Sequence, residues 1–242
     1  MNYMMYTQKK IFGYWKTLKN NFMNFTEHIR VCVDKATKNI KILNGDIMKL
    51  NHQTVPHPMS TRNSQFLLNL ICKLPNKKKT KYLEIGVLRG ASYFAAAYNN
   101  TGVFYGIDNW SRYFQEDSEE NINKNIEKYS SSDRKFVFFV EDCWELDLKK
   151  IKDKINVFFY DGDHSYESHS KILTHYDSVL DDDIILIVDD YYHPGNVGES
   201  IQNATEEAIK NSNFKKVTEF FIEKHIDWHN GFYITHLRRQ NA

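Results

Sequence analysis

Five short apolar runs, Tyr82 to Ile85, Val103 to Ile107, Phe136 to Val140, Val157 to Tyr160 and Ile184 to Val188, alternate with segments long enough to be crossover helices. Runs that are apolar at nearly every position suit strands buried on both faces, and parallel neighbours need a crossover of a dozen or more residues between them. The pattern predicts an α/β chain built on a doubly wound, mostly parallel sheet with helices on both faces. Two further strand-like segments, Val217 to Ile222 and Gly231 to His236, follow a helical stretch near Glu199 to Lys210 and predict an edge hairpin, giving seven strands in all.

Upstream, STRNSQFLLNLICKLP places Phe66, Leu67, Leu70, Ile71 and Leu74 on one helical face and stops at Pro75, after which Lys77, Lys78 and Lys79 form a solvated turn. Ile11, Trp15, Leu18 and Phe22 recur at helical spacing, and His52 to Pro58 holds two prolines and reads as a linker. Residues 1–59 are therefore expected to be an N-terminal helical extension, packed on a main domain over 60–242. A lid over a pocket or a dimer contact is the alternative for that extension. With 242 residues the chain can bury a large core without disulfide or metal staples.

Lys plus Arg number 32 against 31 Asp plus Glu, a formal charge of +1, which argues against a nucleic-acid groove and for a small partner. The three widely spaced cysteines, Cys32, Cys72 and Cys143, suggest neither a secreted disulfide framework nor a zinc site. No run has the length of a membrane span and the N-terminus sustains no signal-peptide core, so a cytoplasmic protein without membrane contact is expected. The four Asn-x-Ser/Thr matches then read as chance in an Asn-rich chain.

In a doubly wound sheet, ligands bind beyond the carboxyl ends of the strands. Here those ends are acidic: Glu84 in the first exit, Asp108 after the second, Asp142 after the third, Asp161 and Asp163 after the fourth, Asp189 and Asp190 after the fifth. One acidic exit is ordinary turn chemistry, but five line one rim with carboxylates, which is costly unless a cation or a hydroxyl-rich ligand shares it. The first exit, LEIGVLRGAS, has the form E-x-G-x-x-x-G with Glu84, Gly86 and Gly90. It lacks the G-x-G-x-x-G of dinucleotide sites, and a Glu at this point repels a pyrophosphate. Its glycines let a ligand approach the backbone, and the helix that follows offers N–H groups to a carboxylate. Asp108, 22 positions after Gly86, is placed to accept from both hydroxyls of a ribose. Asp142 can accept from an exocyclic amine, with Trp144 beside it as a surface for a ring. Adenosine joined to a zwitterionic amino acid satisfies this set.

The succession LEIGVLRGAS, GID, EDCWE, YDGDHSYE and DDIILIVDDYYHP resembles that of class I S-adenosylmethionine-dependent methyltransferases. DGDHSYE with a strand ending VDDY is similar to the macrocin-type, metal-dependent sugar O-methyltransferases, and more distantly to the catechol and caffeoyl-CoA enzymes. The resemblance covers roughly Ser60 to Tyr192 and implies a Rossmann-like fold with S-adenosylmethionine as donor. It implies that Ser92 and the backbone near it hold the methionine carboxylate, Asp108 the ribose and Asp142 the adenine side, while Glu84 orients the loop or the amino group. It also implies a metal, Mg²⁺ by the oxygen character of its ligands, held by Asp161, Asp189 and Asp190.

An alcohol is a poor nucleophile until its proton is leaving, which a divalent metal and a nearby base both assist. The base falls on Asp163 or His164; His164 has the more suitable unperturbed pKa, and its alternative is a cap on the following helix. His193 is a further candidate for the acceptor or the metal. Tyr166, Tyr191, Tyr192, Trp110 and Trp228 are candidates for stacking on a sugar, against the ordinary reading that they pack. The expected acceptor is a small molecule, a sugar or nucleotide sugar, and a homo-oligomer is compatible with the sequence. The rivals are a catechol-type or N-methyltransferase on the same frame, and a catalytically idle protein that keeps the fold for binding.

Overall fold

The computed structural model describes residues 23–38, 59–111 and 118–240. The stripe through Ile11, Trp15, Leu18 and Phe22 and the linker from His52 to Pro58 lie outside the described residues. The described elements run α1 (Phe25–Lys38), α2 (Arg62–Ile71), β1 (Thr80–Ile85), α3 (Ala91–Ala97), β2 (Gly102–Ile107), α4 (Ser118–Tyr129), β3 (Arg134–Phe139), β4 (Ile155–Tyr160), α5 (Tyr166–Tyr176), β5 (Leu180–Val188), α6 (Asn196–Asn211), β6 (Phe214–Ile222) and β7 (Phe232–Arg239).

All seven predicted strands join one sheet, in the order β3-β2-β1-β4-β5-β7-β6. The first five are mutually parallel, and β7 enters antiparallel between β5 and β6. The order reverses between β1 and β4, which makes their exits the switch point where a crevice opens.

Alternation along the strands divides the core in two. Tyr82, Val157, Phe159, Ile185 and Ile187 face one side, with α1, α2 and α3 and Ile122 of α4. Leu83, Phe158, Tyr160, Ile184, Leu186 and Val188 face the other, with α5 and α6. Each of these strand side chains is essentially fully buried. Removing a large apolar side chain from water contributes roughly 1.5–3 kcal/mol, so the two clusters are the main source of fold stability. Helix starts are marked by side-chain caps: Thr61 Oγ1 accepts from Ser64 N–H at 3.2 Å for α2, and Ser165 Oγ from Ser168 N–H at 3.2 Å for α5.

Helix α1 lies within the predicted extension, but the sequence stripe had not marked it. Phe25, Ile29, Cys32 and Ala36, at spacings of four, three and four, are its buried face. It packs on α2 and on β6 and β7. Two polar contacts hold it: the His28 Nε2–H donates to Ile71 O at 2.9 Å, and Thr26 Oγ1 lies 3.0 Å from His236 Nδ1. Cys32, Cys72 and Cys143 are all free, the first two buried. Among the described residues no helix is long and apolar enough to cross a membrane.

Candidate active site

The strand register explains why the acidic residues converge. Ile85 of β1 is level with Ile107 of β2 and Tyr160 of β4; Ile107 is level with Phe139 of β3, and Tyr160 with Val188 of β5. The ladder continues one step past each strand: Gly86 N–H donates to Ile107 O, Asp108 N–H to Phe139 O, Asp161 N–H to Ile85 O and Asp189 N–H to Tyr160 O, at 2.9–3.2 Å. Gly86, Asp108, Asp161 and Asp189 therefore stand in one row on a common backbone level.

Above that row is a cavity of about 440 Å³. Gly86, Ser92, Asp108, Asp142, Trp144, Asp161, Asp163, His164, Asp189 and Asp190 all line it, so ten of the residues singled out from the sequence meet in one place. Glu84 and Gly90 lie behind its wall. Glu84 is fully buried and accepts hydrogen bonds from Tyr82 Oη at 2.6 Å and from Ser92 Oγ, tying β1 to α3. Burial pushes its carboxyl up to about 8, against the pull of the Ser92 and Tyr82 donors. Ser92 thus has its hydroxyl committed to Glu84.

Gly86 has φ +86°, and a Cβ there would sit 1.9 Å from the carbonyl oxygen of Asp161. Only glycine lets β1 and β4 remain this close at the floor of the crevice. Asp108 fixes the same loop from the other side. Its Oδ2 accepts from Leu88 N–H at 2.6 Å and its Oδ1 from Trp110 N–H at 2.7 Å. Each carboxylate oxygen has a second lone pair for a ligand in the cavity. Asp142 accepts from Trp144 N–H at 2.8 Å and from Asn109 Nδ2 at 3.2 Å. The Trp144 ring leans on His175 and Tyr176, with Lys171 Nζ 4.3 Å from its centroid.

The exits of β4 and β5 bring four titratable groups, Asp161, His164, Asp189 and Asp190, together. Burial, then the charges of Asp189, Asp190, Glu84 and Asp108, hold the Asp161 carboxyl well above the usual carboxylate range. Burial and then Asp190 push Asp189 up to about 8. Asp189 hydrogen-bonds Asp161, and its Oδ1 accepts from Asp190 N–H at 2.9 Å. Asp190 adopts φ +54° and turns its side chain back into the cavity, where Oδ1 accepts from Asn230 Nδ2 at 2.7 Å and Oδ2 lies 3.1 Å from His164 Nε2. One ligand atom from each of Asp161, His164 and Asp190 lies within 4.8 Å of the others, a group able to hold a metal ion. The trio expected from the sequence had Asp189 in place of His164. Asp163 is exposed, and its Oδ2 accepts from Ser168 Oγ at 2.9 Å and Ser165 N–H at 3.2 Å at the start of α5.

Of the aromatic candidates, Trp110 lines the cavity, buried and stacked on Phe138, its Nε1–H donating to Leu88 O. Tyr191 stacks on Tyr233, Trp228 packs edge-on to Phe232, and Tyr166 is exposed beside Glu207, so these three pack or face solvent. His193 lines the cavity with its ring centroid 6.1 Å from that of His164. Sequence reasoning missed Arg89, Asn109, His229 and Asn230. Arg89 sits inside LEIGVLRGAS and Asn109 directly follows GID, so their position was available; His229 and Asn230 arrive on the β6–β7 connection, which carries no local pattern.

A family model described as a methyltransferase domain matches residues 83–191, from β1 through β5. No curated protein sequence gives a significant match. Among solved structures, the S-adenosylhomocysteine-bound Podospora anserina methyltransferase PaMTH1 is 12% identical at a TM-score of 0.54, covering 97% of this chain and 96% of its own. An O-methyltransferase from Bacillus cereus, also in complex with S-adenosylhomocysteine, is 15% identical at a TM-score of 0.55, covering 87% and 100%. Nothing in these matches singles out the macrocin-type enzymes. With its strand order, its switch-point cavity and these likenesses, the chain has the class I S-adenosylmethionine-dependent methyltransferase fold.

Proposed function

We propose that this chain is an enzyme that transfers the methyl group of S-adenosylmethionine to a hydroxyl oxygen of a small acceptor, a sugar or similar polyol, with help from a divalent cation. The observation that carries this reading is the single row in which Gly86, Asp108, Asp161 and Asp189 leave the sheet, because it sets a donor half and an acceptor half side by side over one floor. In the donor half, Asp108 is held by two backbone amides with lone pairs left for the ribose hydroxyls, and Asp142 with Trp144 borders the adenine side. Gly86, required by the close approach of the Asp161 carbonyl, keeps the floor under the donor half flat. Among the described residues Arg89 is the one Lys or Arg lining the cavity, and it sits on the donor loop.

Displacement at the sulfonium methyl needs the acceptor oxygen behind the methyl carbon, so positioning is the first task of the acceptor half. Asp161, Asp190 and His164 supply converging donor atoms that fit a divalent cation, and such a cation would lower the pKa of a coordinated hydroxyl. Asp189 orients Asp161 by hydrogen bonding. Asp163 takes the acceptor's proton where His164 holds the cation, and His164, on the same turn, is the alternative base where the carboxylates hold it alone. The B. cereus O-methyltransferase supports oxygen as the acceptor atom, and the DGDHSYE motif supports a sugar. The test is transfer of labelled methyl from S-adenosylmethionine to a panel of glycosides, nucleotide sugars, catechols and amines, each with and without a chelator. Labelled product from a hydroxyl acceptor, at least tenfold less with chelator, is expected. Product from amines alone, unaffected by chelator, would replace this reading with an N-methyltransferase.

A further inference from the structure

We propose that His164 is a ligand of the metal and that the site is thereby selective for a first-row transition-metal ion over Mg²⁺. The inference rests on the reading above for the purpose of the site, but its argument is the donor set. Ligands about 2.1 Å from one ion are about 3.0 Å apart when adjacent in an octahedron. His164 Nε2 and Asp190 Oδ2 stand 3.1 Å apart, and the Asp161 oxygen completes a group spanning at most 4.8 Å, which one ion bridges with small side-chain movements.

The surroundings orient these atoms. Asn230 Nδ2 holds Asp190 Oδ1 at 2.7 Å and His229 Nδ1 approaches it at 3.5 Å, so Oδ2 is left facing His164. His193 N–H donates to Asp190 O at 2.8 Å and fixes the backbone of the same residue. Asp189 is turned to the Asp190 amide and to Asp161, a position from which it orients a ligand. His164 itself is fixed by the turn into α5, where Ser165 caps the helix. Two carboxylates and one imidazole leave positions for two acceptor oxygens and a water. Mg²⁺ takes oxygen ligands and sheds water reluctantly, whereas an imidazole nitrogen favours Mn²⁺, Co²⁺, Ni²⁺ or Zn²⁺. With His164 on the metal, Asp163 is the remaining base on that turn.

The test is calorimetric titration of Mg²⁺ and of Co²⁺ into metal-stripped full-length protein, with the visible absorption of Co²⁺ as a second readout. Co²⁺ is expected to bind at least about thirtyfold more tightly than Mg²⁺. His164→Gln should weaken Co²⁺ by about tenfold or more and alter its spectrum, while leaving Mg²⁺ within about threefold. His164→Asp should shift the preference toward Mg²⁺. S-adenosylmethionine binding by each variant shows that it is folded. An unchanged Co²⁺ to Mg²⁺ ratio in both variants would overturn the inference, as would Co²⁺ binding that survives Asp161→Asn in full. Donor binding with neither metal bound would overturn the metal assistance as well; absent donor binding would count against the methyltransferase reading itself.

Discussion

Replacing Asp161 by Asn is expected to lower methyl transfer about a thousandfold while the donor dissociation constant changes by no more than about fivefold. Loss of charge assistance at a reacting hydroxyl amounts to roughly 4 kcal/mol of transition-state stabilisation, which is that factor in rate. Asp161 stands at the β4 exit with its amide bonded to Ile85 O, and its side chain is among Asp189, Asp190 and His164, the proposed acceptor half. Asn preserves shape and removes charge. The variant should not be less stable. Because the folded-state pKa of Asp161 is raised, its contribution to stability is fully present below the unfolded value and is lost as pH rises through the folded one. Asn has no such loss, so the melting temperature of the variant should gain on that of the wild type as pH rises above the ordinary carboxylate range. Full transfer activity with weakened donor binding would move Asp161 to the donor half.

The second large effect is structural. Gly86→Ala is expected to cost about 3 kcal/mol or more in urea unfolding and to abolish donor binding. The new methyl meets the carbonyl oxygen of Asp161 at 1.9 Å and its carbonyl carbon at 2.6 Å, and backbone in the middle of a sheet has no rotamer with which to yield. Gly195→Ala is the control for backbone strain: it too has positive φ, at +72° with ψ −157°, which carries about 1–3 kcal/mol for a residue with a side chain, but nothing lies within 4 Å of its would-be Cβ, so it should cost less than Gly86→Ala. Equal costs at the two positions would mean that the approach of β1 to β4 is not what requires glycine.

The central strands were legible because a strand buried on both faces is apolar at nearly every position, and four of the five runs stop at an acid while the first carries Glu84 just before its exit at Gly86. Boundaries were less so. The sequence suggests that β5 begins at Ile184, yet it begins at Leu180, since Asp181, Asp182 and Asp183 look like a turn when read locally. They are tolerated in the strand because Lys78, Arg239, and Arg238 with His236 pair with them from distant segments. β6 starts at Phe214 rather than Val217 for a similar reason: Lys216 is held by Glu206 and Glu219. At the site, the row of strand exits follows from sheet register and was therefore predictable. His229 and Asn230 were not, because what aims them at Asp190 is the antiparallel insertion of β7 beside β5, a long-range pairing with no local signature. That His164 rather than Asp189 approaches Asp161 and Asp190 has a local origin. Adjacent aspartates look equivalent in sequence, but the positive φ of Asp190 turns one of the two toward the cavity while its amide engages the other.

Every role proposed for the cavity depends on donor binding, which calorimetric titration of S-adenosylmethionine into metal-stripped protein tests directly. One site per chain with a dissociation constant of about 1–100 μM is expected, weakened at least about tenfold by Asp108→Ala, which removes both the proposed ribose acceptor and the anchor of the Leu88 and Trp110 amides. No binding of S-adenosylmethionine or S-adenosylhomocysteine at millimolar concentration would contradict the account and leave the chain a protein that uses this fold for something else.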